Sequence, residues 1–258
     1  MQKELTTLFT GRARQDLDSV NSTNSHLVDL VKKGGIPEGF LLSADYQEAG
    51  RGQVHAKWKS EKGKNLLLSF AFFPSFLALN DIFMLNKAFA LGVSDLVRKQ
   101  TREKITIKWP NDIYFNDRKI CGILVENSIN SSGIQYTILG LGLNVNQDDF
   151  PKELPNPTSL RLITGKEFDR EEVLADLCSC IEARYLQLKR NELAALKSDF
   201  EKILYRRDEW HYFKSEREVF QGMIKGVDLR GRLLVLLKDD KMNIEKYYDL
   251  KEIKFLDK

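Results

Sequence analysis

The sequence predicts a mixed α/β protein, a largely antiparallel sheet with flanking helices, followed by a small C-terminal β barrel. Three observations carry this. Between residues 22 and 203, stretches with apolar residues at helical spacing alternate with short apolar runs. Four of those runs, between 105 and 145, include links of turn-forming residues that join neighbours antiparallel. Past about residue 206 the helical spacing stops and only short strand-like runs remain. The expected division is 1–205 for the main domain and 206–258 for the β domain, and 258 residues are enough for each to bury its own core.

In order, a short N-terminal lead gives way to Ser22, Thr23 and Asn24, a helix start signal. The helix carries Leu27, Leu30 and Val31 on one face and ends at Gly34 and Gly35. GFLLSADYQ (39–47) reads as a strand, and 47–65 as a long polar, glycine-rich loop, a length that in a compact domain is usually functional. LLLSFAFF (66–73) is a buried strand. Residues 80–99 form the main core helix, with Ile82, Phe83, Leu85, Phe89, Val93, Leu96 and Val97 at helical spacing. ITIKW (105–109), DIYF (112–115), KICGILVENSI (119–129) and IQYTILGLGLNV (134–145) are the antiparallel strands. Pro151, Pro155 and Pro157 make 146–160 a surface loop, and 170–203 regains helical spacing through Val173, Leu174, Leu177, Ile181 and Tyr185. The closing strands are EVFQGMIKGV, GRLLVLL, MNIEKYYDL and EIKFL.

Composition excludes several classes of function. Forty Lys and Arg against 37 Asp and Glu leave +3, too balanced for a nucleic-acid coat, so any anionic partner is met locally. No window approaches the roughly 18 unbroken apolar residues of a membrane span, and the charged N-terminus is not a secretory signal, so a cytoplasmic protein is expected. Cys121, Cys178 and Cys180 form neither a disulfide framework nor a zinc site, and His26, His55 and His211 lie far apart without metal spacing.

Four segments are candidates for chemistry. In the 47–65 loop, Gly50 and Gly52 flank Arg51, so backbone can approach a ligand while the guanidinium offers forked donors to a carboxylate or phosphate; a plain turn is the commoner reading of these residues alone. In KWPND (108–112), Pro110 bends a strand outward and presents Asn111 and Asp112, which can hold Mg²⁺ or orient an amine, or simply cap a turn. In KICGILVE (119–126), Lys119 opens an apolar strand and either reaches an anion in a pocket or snorkels at an edge, while Gly122 leaves room for a ligand or a neighbouring backbone. GLGLNVN (140–146) is no dinucleotide fingerprint, but Asn144 could read an adenine edge.

Taken together and in this order, SerThrAsn (22–24), YQEAGRG, WKSEKGKNLLLS, KWPND, KICGILVE, GLGLNVN and NPTSL (156–160) resemble the biotin protein ligases, over most of the chain. The resemblance implies a catalytic domain of the class II aminoacyl-tRNA synthetase/biotin ligase-like type, related to lipoate ligases, and an SH3-like C-terminal barrel. It implies a substrate set of biotin and ATP with Mg²⁺, and an acceptor lysine on a biotin carboxyl carrier protein of acetyl-CoA carboxylase or a related carboxylase. A homodimer is compatible with it.

By the same resemblance, Ser22, Thr23 and Gln47 match the residues that hydrogen-bond the ureido ring, with Asn24 completing the motif. Gly50, Arg51, Gly52 and Gln53 match the loop that closes over biotin and the adenylate, and Lys119 the lysine that contacts the biotin carboxylate and the phosphate. Trp58, Lys108, Asn111 and Asn144, with Arg51 and Lys119, fall at ATP-binding positions, and Asp112 lies near Mg-ATP and the incoming lysine. The expected catalytic set is Lys119, Arg51 and Asp112. Gln53 stands where the family often has a second arginine, and His55 where it often has a glycine. Only about twenty residues precede Asn21, too few for the helix-turn-helix of repressor relatives, so no DNA binding is expected. The rival readings are a lipoate or octanoate ligase or transferase on the same fold, and a non-catalytic biotin-sensing adaptor.

Overall fold

The computed structural model describes residues 5–53, 56–216, 218–238 and 244–256. The main domain is built on one seven-stranded sheet with two covered faces. Its strands are β1 (Arg14–Val20), β2 (Phe40–Gln47), β3 (Leu66–Phe72), β4 (Ile105–Lys108), β5 (Asp112–Phe115), β6 (Arg118–Asn130) and β7 (Gly133–Leu143), in the order β1-β2-β3-β7-β6-β5-β4. β1 runs parallel to β2 and every other pairing is antiparallel.

Because successive strand side chains point to opposite faces, each strand feeds two cores. Leu41, Phe70, Phe72 and Leu139 face helices α2 (Phe83–Thr101) and α4 (Arg170–Lys189), while their neighbours Leu42, Ala71 and Ile138 meet Leu27 of α1 (Thr23–Lys33). Cover on both sides is why β3 is buried at every residue. The α2 side is aromatic: the Phe72 ring lies 4.6 Å from Tyr185 and 5.0 Å from Phe89. Each such side chain contributes about 1.5–3 kcal/mol by leaving water. Among the described residues no helix is long and apolar enough to cross a membrane.

The structure amends the sequence reading at five points, one of them the additional closing strand Trp210–Ser215. The N-terminal lead contains β1, an edge strand with Leu17 among exposed polar residues and so without an apolar run to betray it. Residues 170–203 are two helices, α4 and α5 (Leu193–Lys202), broken at Asn191, which takes a left-handed φ of 61° that ends a helix. A five-residue helix, α3 (Leu160–Thr164), begins inside the proline loop's end, capped by the Ser159 hydroxyl. The C-terminal strands, β8 (Trp210–Ser215), β9 (Val219–Val227), β10 (Leu233–Leu237), β11 (Ile244–Tyr248) and β12 (Ile253–Phe255), form an antiparallel sheet ordered β11-β10-β9-β8-β12. β11 and β12 are not paired with each other, so the expected barrel is not closed by its ladder among the described residues.

The two sheets share one continuous core: Phe213, Ile224, Val227, Leu233 and Val235 join the cluster containing Phe83 and Phe200. Polar ties also cross the junction. The Trp109 indole donates to the Gly231 carbonyl at 2.8 Å, and the Lys87 ammonium, fully buried, donates to the Val227 carbonyl at 3.0 Å.

Candidate functional site

The α1 face of the sheet is not filled beyond the helix's first turn. Register explains the gap. Ser69, Gly140 and Leu124 lie on one rung across β3, β7 and β6, and Leu67, Gly142, Gly122 and Asp112 on the next. Residues directly opposite share a face, so three glycines remove side chains from the same floor. A Cβ added to Gly142 would sit 2.3 Å from Trp58 Cε2, and one added to Gly140 would sit 2.0 Å from Asn24 Oδ1. The space the glycines leave is used by an indole, an amide and a cavity of about 180 Å³.

That cavity is lined by Ser22, Thr23, Asn24, Gln47, Arg51, Gly52, Gln53, Trp58, Asp112 and Lys119, and by Ala56, Lys57, Gly122, Ile123, Leu124, Gly140, Leu141 and Gly142. The guanidinium and ammonium drawn from distant stretches of chain thus share one hollow. Lys119 reaches it through an irregularity: β5–β6 register slips between Ile113 and Tyr114, so that Lys119 pairs with Tyr114 and shares a face with Asp112. Without that bulge its offset of three from Gly122 would put it on the other face. Its backbone is held by the NPTSL segment, with Lys119 N donating to Asn156 O and Thr158 N to Lys119 O, each at 2.8 Å.

Lys119 and Arg51 are each paired with a carboxylate. Lys119 Nζ lies 2.7 Å from Asp112 Oδ2 and 5.7 Å from the centre of the Trp58 ring. Arg51 Nη2 donates to Glu126 Oε1 at 2.5 Å and Nη1 to the Ser25 hydroxyl at 3.0 Å. At the helix end, Gln47 Oε1 accepts from Thr23 N at 2.8 Å and the Thr23 hydroxyl at 3.1 Å, and the Ser69 hydroxyl donates to Asn24 Oδ1 at 2.6 Å. Asn24 Nδ2 then donates to Glu126 Oε2 at 2.8 Å. Ser22 occupies the N-cap position of α1 without a side-chain capping bond, so its hydroxyl is left to the cavity.

The 47–65 loop folds back on itself, with Trp58 N donating to Gly50 O at 2.9 Å and Gly52 N to Ala56 O at 2.6 Å. Gly50 is part of this return and does not line the inner cavity. It lines a second hollow of about 1020 Å³ outside the loop, which extends to Leu250 and Lys251 of the C-terminal unit. Trp58 Nε1 is buried with no hydrogen-bond partner, an unmet donor in the cavity wall. His55 lies outside the described residues.

Besides Gly50, three expected residues stand apart from the cavity. Lys108 lies over the rings of Tyr114, Tyr205 and Phe255, at 4.9, 5.7 and 5.0 Å from their centres. Asn111, 2% exposed, turns inward and donates to Ile123 O at 2.7 Å, tying the KWPND corner to β6. Asn144 donates to Thr158 O at 2.9 Å, and its Oδ1 is buried without a partner. The sequence reading passed over Ser69, Glu126 and Lys57. The first two carried a signal in their parity with Gly140 and Gly122 across the strands; Lys57 is one of several loop lysines and carried none.

Chemically, the cavity offers three cations, Arg51, Lys57 and Lys119, with a carboxylate and a polar end, and no cysteine among its lining residues. Burial pushes the Cys121 thiol well up, so it stays protonated. No group of three or more metal-ligating side chains occurs among the described residues.

Residues 17–144 match the model of the biotin/lipoate A/B protein ligase family. The chain is 32% identical over 234 residues to the bifunctional ligase/repressor BirA of Bacillus spizizenii, a match that covers 90% of this chain and 70% of that protein. It is 30% identical over 197 residues to the biotin–[acetyl-CoA-carboxylase] ligase of Mycobacterium tuberculosis, covering 74% of this chain and 71% of the other. Its fold is similar to that of the Aquifex aeolicus biotin protein ligase in complex with biotin and ATP, with a TM-score of 0.79 at 28% identity, over 95% of this chain and all of that one.

Proposed function

The chain belongs to the biotin/lipoate A/B protein ligase family, and on that premise we propose how its cavity works. It is an ATP-dependent biotin protein ligase. The biotin carboxylate attacks the α-phosphorus of ATP and pyrophosphate leaves. The biotinyl-5′-AMP so formed acylates a lysine ε-amine of a biotin carboxyl carrier protein, and AMP leaves with the carboxyl oxygen it had gained. The observation that carries this reading is that Arg51 and Lys119 line one cavity with Asp112 over a floor of glycines.

A carboxylate brought onto a phosphate puts two anions together, and fixed cations lower that barrier. At about 4 Å a unit charge pair is worth roughly 4 kcal/mol at an effective dielectric of 20, several decades of rate when felt in the transition state. Lys119 and Arg51 take the carboxylate and the α-phosphate. Ser22, Thr23, Asn24 and Gln47 take the polar ring of biotin, and the unmet Trp58 Nε1–H is a further donor for a substrate oxygen. Arg51, Gly52 and Trp58, on the folded-back loop, cover the acyl-adenylate and keep water from the anhydride. In transfer, Asp112, already within hydrogen-bond reach of Lys119, orients the incoming amine or takes its proton.

Mg²⁺ commonly binds through one or two carboxylates plus substrate phosphates, and one wall carboxylate, Asp112, fits that pattern. Bound with the nucleotide, it would neutralise phosphate charge beside Asp112. Residues 1–205 carry the reaction and 206–258 the accessory unit. The acceptor is the carrier of acetyl-CoA carboxylase or a related carboxylase.

The hydrogen-bonding end of the cavity favours biotin over lipoate or octanoate, whose acyl chains would leave Thr23, Asn24 and Gln47 facing hydrocarbon. Intact-mass measurement of an acceptor domain after incubation with ATP, Mg²⁺ and each acid tests this. One biotinyl group added, with neither lipoyl nor octanoyl, is expected. An octanoyl or lipoyl adduct would replace the reading with the rival, and pyrophosphate release absent with biotin would leave a non-catalytic binder.

A further inference from the structure

We propose that Glu126 is a positioning residue that ties the ligand-recognising end of the cavity to the loop arginine. The assignment rests on the ligase reading and extends it to a residue that does not itself line the cavity. Glu126 projects from β6 opposite Ile138 of β7, two rungs beyond Gly122, on the face that carries the site. Its two carboxylate oxygens serve different partners. Oε2 accepts from Asn24 Nδ2 at 2.8 Å, and Oε1 accepts from Arg51 Nη2 at 2.5 Å.

These two bonds complete a circuit. Gln47 accepts from Thr23, the Ser69 hydroxyl meets both Thr23 Oγ1 (2.8 Å) and Asn24 Oδ1 (2.6 Å), Asn24 donates to Glu126, and Glu126 holds Arg51, which lies four residues after Gln47. The circuit starts and ends on the same loop after crossing α1, β3 and β6. The Asn24 amide occupies the space over Gly140 that a Cβ would take, and it is hydrogen-bonded at both its oxygen and its nitrogen.

Arg51 needs such a hold. Its side chain is 47% exposed and springs from a loop, where an arginine loses much rotamer freedom to be fixed. Of its five guanidinium N–H donors, Ser25 and Glu126 take one each, which leaves three for an anion in the cavity. Glu126 therefore orients the cation without exhausting it, and it does so only while Asn24 fixes the carboxylate's other oxygen.

The test is a double-mutant cycle on the full chain, reading biotin-dependent pyrophosphate release for Glu126→Gln, Arg51→Ala and the pair. Glutamine keeps an acceptor for Asn24 and loses the charge that holds Arg51. The expected result is a kcat about tenfold lower with the biotin KM within about twofold, as one charge-assisted hydrogen bond is lost. In the Arg51→Ala background the same change should alter kcat by less than about twofold, because the two residues act as one unit. Glu126→Asp, with charge retained, should recover part of the rate. A purely structural role would lower kcat equally in both backgrounds, and that result overturns the proposal, as does a Glu126→Gln kcat equal to the parent's. Failure of the unmodified chain to make any biotinyl product would instead remove the ligase reading, so the two failures are distinguishable.

Discussion

The two faces of the seven-stranded sheet are made from alternate residues of the same strands, yet they do opposite things. On the α2 side, Phe70, Phe72, Phe89 and Tyr185 are buried and pack ring against ring, and even a lysine, Lys87, is taken wholly inside. On the α1 side the same strands contribute Ser69, Gly122, Gly140 and Gly142, and the space is left to polar side chains and a cavity. Stability and chemistry are thereby separated by strand parity. One face can be tightly filled because the other is not asked to be.

Breaking the packed face should be the largest effect and should spare catalysis. Phe72→Ala is expected to cost about 3–5 kcal/mol by chemical denaturation, with kcat at low temperature within about twofold of the parent. A parallel loss of kcat would mean that the faces are not separable. The converse change, Gly142→Ala, puts a methyl where the Trp58 indole lies, and is expected to lower kcat/KM for biotin about a hundredfold, or about 2.7 kcal/mol, at an unchanged melting temperature. Unaltered kinetics would show that the glycine floor does not shape the site.

Within the open face, Asp112→Asn separates the acid–base end from the hydrogen-bonding end. It removes the carboxylate 2.7 Å from Lys119 but leaves the polar end intact, so biotin KM should hold within about twofold while kcat for transfer falls about tenfold. A shift confined to biotin KM would count against its assigned role. The smallest expected effect belongs to Lys87, whose pKa burial pushes down to about 8 from an ordinary 10.5. Between those values the unfolded chain holds the proton and the folded chain does not, so this residue makes stability rise with pH across that window. Urea unfolding at pH 7.5 and pH 9.5 should show that rise in the parent and a weaker one in Lys87→Met; equal slopes would place the proton elsewhere.

Much of this division was legible in the sequence, and what was not has identifiable causes. Strong apolar runs gave away β3 and α2, and turn chemistry the β5–β7 meander, because each is a local signal. β1 was hidden since an edge strand needs little apolar surface, and the break at Asn191 since one left-handed residue leaves helical spacing nearly intact. At the site, Arg51, Asp112, Lys119 and the SerThrAsn motif were recognisable by residue type and order. Lys119's aim depends on a bulge, and bulges have no reliable signature in strand periodicity. Asn111 and Asn144 were read as displayed side chains, whereas both are turned inward to hold the backbone of Ile123 and Thr158, work an amide does as readily as reading a ligand.

Adenylation as proposed requires the Lys119 and Arg51 charges to act together on one acyl phosphate. The direct measurement is single-turnover formation of biotinyl-5′-AMP by Lys119→Ala, with biotin and ATP both saturating and folding checked by its melting curve. Loss of the ammonium should slow adenylation by about three orders of magnitude, about 4 kcal/mol, while biotin still binds at the Thr23 and Gln47 end. Adenylation at the parental rate would contradict that requirement.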